Sequence, residues 1–360
     1  MVVEGLQARA YTVPTPEPET DGTLEWDATT IVVVEARAGG HAGVGYSYGD
    51  AAIATVIEGP LAGVVRGCDV LSPQAGWTAM RDALRNAGWP GIGAMAVSAV
   101  DVALWDLKAR VLGVALADLL GRVHDAVAVY GSGGFTSLSD RALADQLGGW
   151  AEAGMPRVKL KVGREPARDL HRLSVARGAV AEEVELMVDA NGAFTPARAL
   201  REAHRYTTYG VTYLEEPVSS DDLTGLRRVR DGAPPGMAVA AGEYHWSLFD
   251  AQRMLEADAV DVLQADVTRC GGITELLRIG ALAQAHGVPF SAHCAPAISV
   301  HACAAIEPLV HLEWFADHVR VERLLFDGVV EPDGGVLRPD RSRPGLGIEL
   351  KRAEAERVAA

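Results

Sequence analysis

The chain predicts an α/β fold, a barrel of alternating strands and helices preceded by a smaller α+β unit. Seven ionisable residues carry this reading: Lys161, Asp189, Glu215, Glu243, Asp266, His293 and Glu313 each stand at or just past a short apolar run. Their spacings of 28, 26, 28, 23, 27 and 20 residues each match one strand, one helix and two turns. The length of 360 residues fits a barrel of roughly 200 residues with a smaller partner.

Residues 4 to 13 and 29 to 38 (TTIVVVEARA) are apolar and β-branched between Pro, Gly and acidic residues, so both read as strands. The glycine-rich GGHAGVGYSYGD that follows reads as a turn or loop. Val97, Val100, Leu104, Leu107 and Val111 recur at intervals of three and four, one apolar helical stripe that ends near Gly113. Strands followed by helices, without alternation, make 1–123 an α+β unit.

From Ala126 the pattern alternates. AVAVYGS is a strand, 139–153 a helix, RVKLKVG a strand and 166–182 a helix; ELMVDANG, VTYLEEP, MAVAAGE, VDVLQAD, VPFSAH and HLEWF continue the strands to eight. The seven connecting segments have helical period, and the strands are short and apolar enough to be buried on both faces. This places the barrel at 124–320. Residues 321–360, punctuated by Gly and Pro, are expected to return to the N-terminal unit.

Hydrophobic residues at 49% and charged residues at 22% describe an ordinary globular core. No run of eighteen uncharged apolar residues is present to cross a bilayer, and the start of the chain lacks a basic segment followed by a long apolar one, so a cytoplasmic protein with no membrane partner is expected. A formal charge of −15, with arginines dispersed among acids, argues against nucleic acid. Cys68, Cys270, Cys294 and Cys303 form no CxxC pair and are expected to be reduced, buried thiols.

A parallel barrel points all its strand ends the same way, so the seven ionisable residues converge on one mouth. Asp189, Glu215 and Glu243 end three successive strands. Any one of them alone reads equally well as a helix cap, but three held together repel, and a hard divalent cation such as Mg²⁺ relieves that repulsion. Glu216 adjoins Glu215, and strand phase favours Glu215 as the ligand. Lys159 and Lys161, one residue apart on a strand, point to the same side. Two ammonium groups beside a cation are expected to lower each other's pKa, so that one serves as a base. Asp266 and His293 end adjacent strands, and a carboxylate on one imidazole nitrogen raises basicity at the other. The other nine histidines, among them His204, His286 and His301, read as ordinary helix or turn residues. Glu313, among negative neighbours, is expected to have a raised pKa and to donate a hydrogen bond. Asn191 and Arg269 lie just past strand ends as supports.

The order Lys-x-Lys, Asp, Glu, Glu, Asp, His, Glu along successive strands resembles the enolase superfamily and, within it, the mandelate racemase subgroup. SAVDVALWDLKARVLGVALADLLG resembles the helix of that family's capping domain, so the likeness covers nearly the whole chain. The resemblance implies a modified TIM barrel, (β/α)₇β, under an α+β cap. It implies one Mg²⁺ per subunit on Asp189, Glu215 and Glu243, with Lys161 as base on one face of the substrate carbon and His293 with Asp266 on the other. Lys159 and Glu313 would contact the substrate carboxylate, and Asn191 would assist. That a superfamily of this kind pairs a Lys or His base with Mg²⁺ is general knowledge. Three ligand carboxylates, Mg²⁺ and a protonated Lys159 cancel in charge, so an anionic substrate is not repelled.

DVTRCGGITE and the hydroxyl-bearing YSYGD (Tyr46, Tyr48, Asp50) are more similar to acid-sugar dehydratases than to a pocket for an aromatic ring. That segment and 15–27 are expected to be loops that close over the substrate. The expected reaction is dehydration of an aldonate or aldarate to a 2-keto-3-deoxy acid. The alternatives are a racemase or epimerase of a 2-hydroxy acid on the same scaffold and, more remotely, a non-catalytic metal-binding barrel. A homo-oligomer is expected.

Overall fold

The computed structural model describes all 360 residues. β1 (Gly5–Thr20), β2 (Glu25–Ala38) and β3 (His41–Tyr48) form an antiparallel sheet in that order. The glycine-rich segment is therefore mostly strand, and only Gly39 and Gly40, with φ of 54° and 79°, make the turn. Gly43 and Gly45 serve packing instead. A Cβ on either would lie 2.2 Å from a carbonyl oxygen, of Ala103 or of Ala99, so only glycine lets the helix over Ile92–Leu112 lie directly on β3. Val97, Val100, Leu104 and Leu107 are buried on that helix, as their spacing predicts, and Gly113 caps it in the left-handed conformation.

The same helix joins the sheet to the barrel through buried acids. Asp106 accepts hydrogen bonds from the backbone of Val44 at 2.7 Å and of Leu346 at 2.6 Å. Asp101 accepts from the backbone and hydroxyl of Thr274 at 2.8 and 2.7 Å.

Eight parallel strands then close into a barrel: β4 (Val127–Gly133), β5 (Arg157–Lys161), β6 (Glu185–Asp189), β7 (Val211–Glu215), β8 (Ala238–Ala241), β9 (Val262–Asp266), β10 (Phe290–His293) and β11 (Leu309–Phe315), with β11 paired back onto β4. Seven connections carry helices, as the alternation predicts; the second begins at Asp169 and ends at Ala179, inside the expected 166–182. Strand alternation sorts the side chains. Val158, Leu160, Leu186, Val188 and Leu214 join the main core with the outer helices. Tyr130, Met187, Tyr213, Ala240 and Val262 fill the barrel interior, and the ionisable residues cap that plug at the C-terminal strand ends. Parallel register sets Lys161 beside Asp189, Asp189 beside Glu215, and Asp266 beside His293.

The tail returns across the molecule. β12 (Phe326–Asp327) pairs with β14 (Glu349–Leu350), β13 (Val336–Leu337) pairs with β4, and the Ala360 amide bonds Ala10 of β1 at 3.1 Å. Residues 15–27, expected to be a loop, are mostly the distal part of the β1–β2 hairpin, whose tip reaches the barrel mouth. There the Thr136 amide bonds the Thr20 carbonyl at 2.8 Å and Thr23 Oγ1 bonds the Asn191 carbonyl at 3.3 Å. A Cβ on Gly22 would meet the Ala190 oxygen at 2.2 Å, so this contact depends on glycine. No helix is long and apolar enough to cross a membrane.

Candidate active site

Asp189, Glu215 and Glu243 each present a carboxylate oxygen within 4.8 Å of the others. All three are buried. Asp189 Oδ1 accepts from the Asn191 amide at 2.8 Å and Oδ2 from Lys161 Nζ at 2.5 Å. Glu215 accepts from Lys159 Nζ at 2.5 Å and Gln264 Nε2 at 2.9 Å. Glu243 Oε2 has no hydrogen-bond partner. Glu216 is buried too, at a left-handed φ of 36° just outside the ladder, so strand phase leaves Glu215 in the cluster. Burial, then Glu243, Asp189 and Glu215, push the Glu216 carboxyl far above the usual range, and burial raises Glu215 despite Lys159. An acid-rich pocket with an orphaned oxygen and oxygen-only donors fits a hard divalent cation.

Lys159 and Lys161 both face inward, as their spacing predicts. Lys159 is fully buried and lies 2.9 Å from Glu313 as well as against Glu215. The expected fall in lysine pKa is not what the side chains produce. Burial is the largest influence on Lys161 and lowers it, but Asp189, Glu243 and Glu313 together outweigh burial and Lys159, and the value rises; Lys159 rises likewise through Glu215 and Glu313. Glu313 also departs from expectation. Burial raises its carboxyl, yet Lys159, His293 and Lys161 hold it well below the usual range, so it is an ionised acceptor.

His293 Nδ1 pairs with Asp266 Oδ2 at 2.7 Å. The other oxygen of Asp266 accepts from the Thr268 amide at 2.6 Å and its hydroxyl at 2.7 Å, which fixes the carboxylate and therefore the ring. The Nε2 edge faces Glu243 at 3.3 Å and Glu313 at 3.4 Å. Burial opposes protonation of this imidazole, but Cys294, Glu243, Glu313 and Asp266 raise it well above its ordinary value.

Lys161, Glu243, Asn191, Arg269 and His293 line one cavity of about 420 Å³, within the range of small-molecule sites. Its roof comes from the hairpin (Asp21, Trp26), the end of β3 (Tyr48, Asp50) and Met95. Lys159, Glu313, Asp189 and Glu215 are buried and are not among the residues that line this cavity. Asn191 is among the lining residues, and its buried Oδ1 has no hydrogen-bond partner. Tyr48 lines the cavity with its ring stacked on His318 at 3.5 Å between centroids. Tyr46 does not reach the cavity: its ring stacks on Phe326 at 5.2 Å and its hydroxyl bonds Glu322 at 2.5 Å, because its place on β3 sets it over the C-terminal segment. Sequence reasoning did not single out Trp26, Met95, Cys294 or His318, although Trp26 lies in the 15–27 segment expected to close over the substrate and Cys294 adjoins His293. His311, read as a helix or turn residue, sits on β11 and bonds Ser291 at 2.8 Å. Cys68 is only partly buried, whereas the other three thiols are buried.

Known proteins resemble this chain in sequence and in fold. Residues 10–121 match the mandelate racemase / muconate lactonizing enzyme N-terminal domain, and residues 142–355 match the enolase C-terminal domain-like family. A 3,6-anhydro-alpha-L-galactonate cycloisomerase from Streptomyces coelicolor is 31% identical over 99% of both chains. An L-talarate/galactarate dehydratase from Salmonella typhimurium is 33% identical over 89% of this chain and 80% of its own. Among solved structures, a mandelate racemase/muconate lactonizing enzyme-like protein from Rubrobacter xylanophilus superposes with a TM-score of 0.98 at 61% identity over all of both chains. A racemase from Streptomyces coelicolor with bound magnesium superposes at 0.93 and 30% identity, also over all of both chains. The chain belongs to the mandelate racemase and muconate lactonizing enzyme family of the enolase superfamily.

Proposed function

We propose that the protein removes the proton α to the carboxylate of an acid sugar and expels the oxygen on the neighbouring carbon, giving a 2-keto-3-deoxy acid from an aldonate or aldarate. One observation carries this reading. Lys161 and His293 line the same cavity, and the strands bearing Asp189 and Glu215, with Glu243 just past β8, stand between theirs in ring order. Asp189, Glu215 and Glu243 would hold one Mg²⁺. When bound, that ion supplies positive charge to the substrate carboxylate as the α-carbon loses its proton.

The side chains divide the remaining work. Lys161 would take the α-proton on Nζ in its amine form, which the 2.5 Å contact with Asp189 disfavours and which engagement of that carboxylate by the ion would favour. Lys159 holds its ammonium beneath the carboxylate cluster and Glu313 anchors it from the other side. His293, held by Asp266 through Nδ1, presents Nε2 to the leaving oxygen and gives it a proton. The hairpin tip, with Trp26 and Asp21, excludes water from above, and we read 1–123 with 321–360 as a cap over the 124–320 barrel.

The test is a panel of aldonates and aldarates incubated with Mg²⁺, scored with a carbonyl reagent and by mass. Loss of water with a new carbonyl is the expected outcome. A second reading is favoured by the cycloisomerase that matches 99% of both chains: an oxygen tethered in a ring leaves without being lost, so a carbonyl appears at unchanged mass. Change of configuration with neither carbonyl nor mass change would instead establish an epimerase. No exchange of α-hydrogen with D₂O across the panel would overturn the proposal.

A further inference from the structure

Beside the carboxylate cluster, three different donors point at one another. Cys294 Sγ lies 3.3 Å from His293 Nε2 and 3.2 Å from Glu313 Oε2, and the last two are 3.4 Å apart. All three side chains are more than nine-tenths buried. A tetrahedral Zn²⁺, with bonds of about 2.0–2.3 Å to nitrogen, oxygen and sulfur, needs such donors roughly 3.4–3.6 Å apart. The triangle is within a few tenths of an ångström of that. Cys294 reaches it because both it and Ala295 have positive φ, of 52° and 45°. In a continuing strand the residue after His293 would point the opposite way. Glu243 Oε2, buried and without a hydrogen-bond partner, stands 3.3 Å from the same Nε2, and the cavity opens onto Glu243, His293 and Cys294.

We propose that His293, Cys294 and Glu313 form a second cation site, selective for a soft divalent ion such as Zn²⁺, and that its occupancy shuts the active site. Sulfur sets the selectivity: Mg²⁺ prefers oxygen donors and has no use for a thiolate, whereas Zn²⁺ binds thiolate, imidazole and carboxylate together. On binding, the Cys294 thiol proton leaves to solvent and a Zn–S bond forms. Nδ1–H of His293 stays on Asp266, the proton that its acidic neighbours favour on Nε2 leaves to solvent as well, and the freed Nε2 lone pair forms the Zn–N bond. One thiolate and one carboxylate balance the ion's charge, and Glu243 Oε2 or a solvent molecule completes the tetrahedron. With Nε2 occupied, His293 cannot give or take a proton. This inhibitory half rests on the proposed function; the binding half does not.

The experiment uses the Mg²⁺-saturated protein and Cd²⁺ as the probe. One Cd²⁺ per chain is expected to bind with a thiolate-to-metal ultraviolet charge-transfer band that excess Mg²⁺ does not remove. The band should vanish in Cys294→Ala, with binding weakened at least tenfold, and persist in Cys68→Ala, which removes the partly exposed thiol. Equal Cd²⁺ affinity in Cys294→Ala, or displacement by Mg²⁺, would overturn the site. X-ray absorption of Cys68→Ala protein carrying one equivalent of Zn²⁺ reads the donors without altering Cys294: one sulfur among nitrogen and oxygen is expected, and a shell without sulfur refutes the site while leaving the proposed reaction untouched. Turnover at one equivalent of Zn²⁺ should fall at least tenfold. A sulfur-containing shell with turnover unchanged would overturn the inhibitory half and the role given to His293.

Discussion

On the β5 flank of the mouth, Lys161 and Lys159 are held by Asp189 and Glu215, members of the same carboxylate cluster that would carry the cation. On the β10 flank, His293 is held by Asp266, which stands outside that cluster and is itself fixed by Thr268. The charge on the lysines is therefore tied to whatever occupies the cluster, because each ammonium competes with the ion for the same oxygens. The ring of His293 keeps its orientation regardless. One flank is coupled to the metal by shared ligands; on the other, the orientation of the ring is set by a partner outside the cluster, and only its Nε2 edge meets a cluster member, Glu243, at 3.3 Å.

The largest effect should come from removing the ion. Chelation is expected to abolish turnover by roughly 10³-fold or more and added Mg²⁺ to restore it; unchanged turnover after exhaustive chelation would break the assignment of the three carboxylates. Next, Lys161→Ala should lower turnover by about 10³-fold while His293 still exchanges α-hydrogen on its own face, a result read by NMR in D₂O. Loss of exchange on both faces would show that the flanks are not separable. Asp266→Asn should lower turnover by about 10²-fold with Mg²⁺ affinity unchanged, since Asp266 touches the ring and not the cluster; a weakened Mg²⁺ affinity would erase the distinction between the flanks.

The smallest effect concerns imidazoles that lack a carboxylate partner. Burial pushes His301 down to about 4 and His311 to about 3. Their folded-state values lie below the unfolded one, so the stability they contribute is present above about pH 6.5 and is lost as the pH falls toward 4. At about pH 5.5 each should account for roughly 1 kcal/mol. Denaturant titration of His311→Asn should show a shallower acid slope than wild type, whereas an equal slope would mean that the buried ring does not titrate. His293, raised by its acidic neighbours, has the opposite sign: its contribution is complete below the unfolded value and fades as the pH rises.

Much of this site was legible because a barrel turns sequence spacing into convergence. Ionisable residues recurring at about 25 residues must share a mouth, and Lys159 and Lys161 must share a face because strands alternate. The signs of the pKa shifts were not legible. Lys161 is opposed by burial and a like charge and favoured by Asp189, Glu243 and Glu313, and only their placement around it shows which side prevails. β3 was hidden because Gly43 and Gly45 have the composition of a loop, although they are there to admit a helix. Tyr46 and Tyr48 share one face of β3, yet one lines the cavity and the other packs on Phe326, a difference set by a segment nearly three hundred residues away.

By itself the sequence determined the barrel, the cap and the identity of the seven ionisable residues at the mouth, since these follow from periodicity and strand direction, which are properties of local chain geometry. Only the tertiary structure decided which carboxylate each lysine meets, that Glu313 is an ionised acceptor, and that Cys294 turns back beside His293. Those outcomes depend on distances of a few ångströms between elements remote in the chain, where burial and Coulomb interaction compete and the winner changes with each contact.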